Sequence, residues 1–79
     1  SLDNANNQVI VRNVMPDSLA ARVGLMPGDV LVAINNQAVH HPREVIELVQ
    51  QAPPQTQLIV LREGREQPIL VNFDSIPYE

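Results

Sequence analysis

Gly24-Leu25-Met26-Pro27-Gly28-Asp29-Val30-Leu31-Val32-Ala33-Ile34-Asn35-Asn36 joins a helix stop, a tight turn and a buried strand in one fixed order. A glycine at position 24 can take the left-handed conformation that closes a helix, and Leu25 can then fold back onto that helix as its apolar partner. In Pro27-Gly28-Asp29, proline fixes one backbone dihedral, glycine supplies a conformation other residues avoid, and the aspartate can accept local backbone hydrogen bonds. The strand Asp29 to Asn35 begins at once. Its interior, Val30 to Ile34, is continuously apolar, as expected of a central strand covered on both faces. Asn35 and Asn36 adopt positive φ at low cost, which suits a tight connection into a short strand at Gln37 to Val39.

Upstream, Gln8 to Val14 is rich in β-branched residues interrupted by polar ones and predicts a strand that Pro16 ends. Asp17 or Ser18 can cap the next helix with a side-chain oxygen, and Leu19, Ala20, Ala21 and Arg22 are good helix formers. Downstream, His40-His41 leads into Pro42, a residue favoured in a first helical turn. The helix is expected to run to Ala52, because Pro53-Pro54 cannot continue it. Thr56 to Glu63 and Glu66 to Phe73 then predict a hairpin around Gly64-Arg65, with Leu58, Val60, Ile69, Val71 and Phe73 pointing inward. Pro68 places the last strand at an edge. The sum is an α+β fold: a small, partly closed antiparallel β-sheet capped by one longer and one short helix. Residues 8–73 form the domain, 1–7 an N-terminal flank and 74–79 a C-terminal tail. Leu25, Val30, Val32, Ile34, Val45, Leu48, Leu58, Val60 and Val71 are expected to carry the core.

The chain has 79 residues, enough for one small domain and not for a second core. With 44 % apolar and 18 % charged residues it falls among chains that fold on their own. A formal charge of −4, from nine acids against five arginines scattered along the sequence, offers no basic stripe for phosphates and argues against a nucleic-acid partner. The longest apolar runs, Val30 to Ile34 and Leu58 to Leu61, fall far short of the roughly 20 residues a membrane-spanning helix requires. Without cysteine there is no disulfide framework and no thiol ligand. The chain opens at Ser1 with no methionine, signal peptide or targeting motif before it, and reads as a segment of something longer.

Catalytic chemistry finds little purchase here. Ser1, Ser18 and Ser75 have no Gly-x-Ser-x-Gly context, and His40 and His41 are the only candidate histidine bases. His40, His41, Glu44 and Glu47 gather near one helix start, but their spacing does not match His-Glu-x-x-His, so neither a metal nor another cofactor is expected. Solvated loop histidines are the plainer reading. The helix Pro42 to Ala52 is more informative. Its apolar residues cover more than one face needs: Val45, Leu48 and Ala52 are spaced to pack on the sheet, while Pro42, Ile46 and Val49 form an adjacent row at one-turn spacing.

Pro-Asp-Ser-Leu-Ala-Ala-Arg-Val-Gly-Leu at Pro16 to Leu25, followed by Pro-Gly-Asp-Val-Leu at Pro27 to Leu31, resembles the central signature of PDZ domains, and the likeness extends over roughly residues 8 to 73. The order of elements, with Glu66 to Phe73 closing the chain, is similar to the circularly permuted PDZ domains of bacterial envelope proteases, the HtrA-type serine proteases and site-2 metalloproteases. Secretion-system scaffolds carry similar domains. The resemblance implies a non-catalytic module that recognises peptides or unfolded segments for a protease of the periplasm or cell envelope. In that family a ligand adds as a β-strand to a strand edge opposite a helix. Pro42, Ile46 and Val49 would then line the peptide groove, and Gly24, Gly28 and Asp29 would serve as structural turn positions. The family's loop for a terminal carboxylate has no counterpart in Ser1 to Asn7, which holds neither glycine nor an aromatic residue. Either the loop lies upstream, or the domain offers another surface. The alternative role is a scaffold domain that docks onto a neighbouring domain of its parent or a partner protein, with Ile46 and Val49 as the docking patch.

Overall fold

The structure, a computed structural model, describes residues 2–73. The expected tail at 74–79, like Ser1 and Ser75, lies outside the described residues. The elements in chain order are β1 (Leu2–Ala5), β2 (Gln8–Val11), α1 (Leu19–Val23), β3 (Val30–Ile34), β4 (Gln37–Ala38), α2 (Pro42–Gln51), β5 (Gln55–Arg62) and β6 (Arg65–Asn72). The strands form one antiparallel sheet in the order β1-β2-β3-β5-β6, with β4 paired to β3. This is the expected α+β arrangement of one longer and one short helix on an antiparallel sheet. Residues 1–7, read from sequence as a flank, contribute the edge strand β1, whose four residues pair with β2 from Leu2↔Val11 to Ala5↔Gln8.

Three hairpins share one device. Asn6-Asn7, Asn35-Asn36 and Glu63-Gly64 each hold positive φ at both central residues, with Asn6 at 54° and Asn7 at 59°. That backbone twist matches the twist of the flanking strands, so two residues suffice to reverse the chain. β2 stops at Val11, short of the expected Val14. Its partner β3 begins only at Val30, so the strand pairing ends at Ile10↔Val30 and beyond it, on that side, Val11 meets the turn instead of a strand. The Gly28 N–H donates to the Val11 carbonyl and the Val11 N–H to the Asp29 carbonyl, both at 2.8 Å, which seats the turn against the strand end.

β3 lies centrally between β2 and β5, and none of its five residues is exposed. The buried positions are Leu31 and Ile34, whereas Val30 and Val32, expected in the core, are half-buried. Val30 is the neighbour of buried Leu31 and so points to the other face, while Val32 sits at a bulge: Leu31 faces Val60 and Ala33 faces Ile59, so Val32 is an extra residue without its own partner in β5. An inserted residue reverses the in-out alternation beyond it. Leu31 and Ile34, three apart, therefore reach the same face.

The core is built from Val9, Leu31, Ile34, Val39, Val45, Leu58, Val60 and Val71, with Leu25, Leu48, Val49, Ile69 and Phe73 partly buried against it. Aliphatic side chains dominate, as they must in a chain with a single Phe and a single Tyr. Ser18 caps α1 by accepting from the Ala21 N–H at 3.2 Å. Gly24, at φ 95°, closes it, with the Gly24 and Leu25 amides donating to the Ala21 and Ala20 carbonyls. The histidines belong to a helix cap. His41 Nδ1 accepts from the Arg43 N–H at 3.0 Å, and Glu44 Oε1 accepts from the His40 and His41 amides at 2.7 and 3.1 Å. Glu44 at the third helical position is where a reciprocal capping carboxylate works best.

Candidate functional site

An apolar cavity of about 180 Å3 opens where the two helices meet the sheet. Its walls are Leu19, Ala20 and Val23 of α1 and Val45 and Val49 of α2, and its floor is Leu31, Ile34 and Leu58, with Leu25 at the end of α1. Leu2 of β1 and Phe73, just past β6, stand at its margin. Apolar lining with no convergent charged group suits a hydrophobic side chain and gives no footing for acid-base or metal chemistry. Among the described residues no group of three His, Asp or Glu side chains could hold a metal ion. A larger, shallow depression of about 450 Å3 lies at the far end of β5 and β6, lined mainly by the amides Asn35, Gln55, Gln57 and Asn72.

β1 is the edge of the sheet on the α2 side, and its outer backbone groups have no strand partner among the described residues. Asn4 Nδ2 donates to the His40 carbonyl at 2.7 Å, fixing β1 to the start of α2. A strand edge and a helix thus flank an apolar cavity, which is the geometry of a site that takes an extended chain by β-strand addition.

The predicted groove row is divided by the structure. Val49 lines the cavity. Ile46, 56 % exposed, stands one turn earlier on the solvent side of the same row, and Pro42 is half-buried at the first position of α2. Leu2, Leu19, Ala20, Val23 and Phe73 were not anticipated as lining residues. A five-residue helix is too short to show its apolar face by periodicity, and Leu2 and Phe73 lie 71 positions apart in sequence and meet only through the sheet.

Gly28 has φ 93°, a conformation that glycine adopts without strain. Asp29 does more than close the turn. Its Oδ2 accepts from the Met26 N–H at 3.0 Å, and both carboxylate oxygens accept from Arg62, Nε to Oδ1 at 2.9 Å and Nη2 to Oδ2 at 2.7 Å. Asp29 is only 2 % exposed, and the Arg62 hydrogen bonds hold its carboxyl below the usual carboxylate range despite that burial. Burial alone would raise it, so the fork of the guanidinium wins.

A sheet edge set against a helix over an apolar cavity defines a peptide-groove α+β domain. The chain belongs to the PDZ-domain family, whose model matches residues 10–63. It is 37 % identical over 78 residues to a probable periplasmic serine endoprotease DegP-like of Marinomonas sp. (strain MWYL1), a match spanning 96 % of this chain and 16 % of that protein. It is 39 % identical over 67 residues to the mitochondrial serine protease HTRA2 of Bos taurus, covering 84 % of this chain and 14 % of that one. The chain therefore spans a small part of the curated relatives it matches. Among solved structures it superposes on the HtrA3 PDZ domain bound to a phage-derived ligand (FGRWV) with TM-score 0.73 and 26 % identity, over 89 % of this chain and 63 % of that one. It also superposes on the HtrA-type protease AlgW with decapeptide, with TM-score 0.69 and 32 % identity, over 81 % and 20 %.

Proposed function

We propose that this domain is the peptide-recognition module of an HtrA-type serine protease of the periplasm or cell envelope, selecting substrates or controlling activation and performing no catalysis itself. The observation that carries the reading is the apolar cavity between α1 and α2 beside β1, the edge strand of the sheet. An extended segment would pair its backbone with that edge and place one apolar side chain in the cavity against Val45 and Val49. Ile46 and Pro42, on the outer row of α2, would contact the same segment further along. Matches to peptide-bound HtrA-type structures support this.

The test is an amide chemical-shift titration with one apolar-ended peptide, as free acid and as C-terminal amide. Saturable shifts at Leu2, Val23, Val45, Val49 and Phe73 with both forms establish groove binding without terminal recognition. Shifts with the acid alone add a carboxylate site. No shifts with either overturn the reading and leave docking to another domain of the parent, for which Ile46 at 56 % exposure is among the exposed apolar contacts, with Met15, Met26 and Leu70.

A further inference from the structure

From its place behind the groove, we infer that Arg62 is a positioning residue for the ligand site: it fixes the wall formed by α1 through the end of that helix, without lining the cavity. The inference rests on the peptide-groove reading. The α1 helix is five residues long and buries none of them, yet Leu19, Ala20 and Val23 make up one side of the cavity. Helices this short hold no fixed place by their own hydrogen bonds. Something else must anchor the wall.

Arg62, at the end of β5, reaches across to do so. Its Nη2 donates to the Gly24 carbonyl at 3.0 Å, the group that leaves α1, and also to Asp29 Oδ2 at 2.7 Å. Asp29 in turn holds the Met26 amide, and the Gly28 amide is bonded to Val11 of β2. The segment from Gly24 to Asp29 is thus tied to two strands, and Arg62 is the tie at its α1 end. A planar, forked donor suits such a tie, because Nε and Nη2 engage both carboxylate oxygens while Nη2 is shared with the carbonyl. A lysine could keep the charge but not this geometry. Loosening the tie would let α1 move off the cavity while β5, paired with β6 from Gln55↔Asn72 to Arg62↔Arg65, stays in place.

The experiment compares wild type with Arg62→Lys, which retains a cation beside the buried Asp29 and so avoids the unfolding expected of a neutral residue there. Two quantities are read under conditions where both proteins are fully folded: amide hydrogen exchange, and the dissociation constant for a fluorescein-labelled pentapeptide FGRWV. Exchange at the Gly24 and Leu25 amides, which close α1, is expected to accelerate by about tenfold relative to the Asn35 amide, which bonds the Gln57 carbonyl of β5 from the next turn, and the dissociation constant to rise about tenfold, the size of losing one charge-assisted hydrogen bond. Exchange that rises equally at all three amides makes Arg62 a general stability residue and overturns the inference. So does unchanged affinity. If wild type itself shows no saturable binding, the peptide reading fails and takes the affinity half of the inference with it, while exchange at Gly24 and Leu25 still decides whether Arg62 holds α1.

Discussion

Asp29 shows how much one side chain does in a domain this small. Its carboxylate is buried, forked to Arg62 and bonded to the Met26 amide, so its native pKa lies below the ordinary 3.8. A carboxyl depressed in the native state binds fewer protons there than in the unfolded chain. Its contribution to stability is therefore fully present above the unfolded value and is lost as pH falls through the lower folded value. Urea midpoints of wild type should drop on acidification below about pH 4, and Asp29→Asn should start lower and flatten that drop. A parallel acid profile in the variant would mean the charge is not what matters. Gly28 tests a different force. No heavy atom outside its chain neighbours lies within 4 Å of where a Cβ would stand, so the cost of a side chain is conformational, set by φ 93°. Gly28→Val should lose about 1–2 kcal/mol in urea unfolding, with peptide affinity per folded molecule unchanged. Sequence showed the turn role of Asp29 but not its partner, because Arg62 lies 33 residues away and nothing in the local pattern marks it.

Hairpins and caps fix the elements, and here local chemistry was readable. Asparagine pairs at 35–36 and glycine at 64 announced their turns, and the order Ser18 to Gly24 announced both ends of α1. The β1 hairpin was missed although Asn6-Asn7 is the same device, because Leu2 to Ala5 lacks the β-branched residues that mark a strand. The bulge at Val32 was equally invisible: an unbroken apolar run does not say which residue is the extra one. Glu63 is the one hairpin position where the residue resists its conformation, at φ 52° with a long side chain. Asparagine tolerates that region far better. Glu63→Asn should raise stability by about 0.5–1 kcal/mol, seen as a higher thermal midpoint, while Glu63→Val should lower it. Equal midpoints would mean that the turn relaxes to another type.

At the scale of the molecule, the site is a product of topology. Leu2 and Phe73, from near opposite ends of the chain, converge with α1 and α2 because β2, β3 and β5 hold them on one face of the sheet. The α2 sequence supplied the apolar row Pro42, Ile46 and Val49. It could not rank the row, since depth depends on what the sheet and α1 leave open. The structure supplies the ranking: Val49 lines the cavity and Ile46 is 56 % exposed. This leads to a comparison of two substitutions on one helix. Val49→Thr keeps shape and volume but sets a hydroxyl among apolar walls, where a bound side chain would leave it without a partner, and should weaken peptide binding by about tenfold. Ile46→Ala removes surface that stays partly in water even with a peptide bound, and should cost about threefold or less. Fluorescence anisotropy with the labelled pentapeptide, beside urea melts showing both variants folded, reads the difference directly. If Ile46→Ala proves the more damaging, the ligand lies along the outer face of α2 and the cavity between the helices is not its seat.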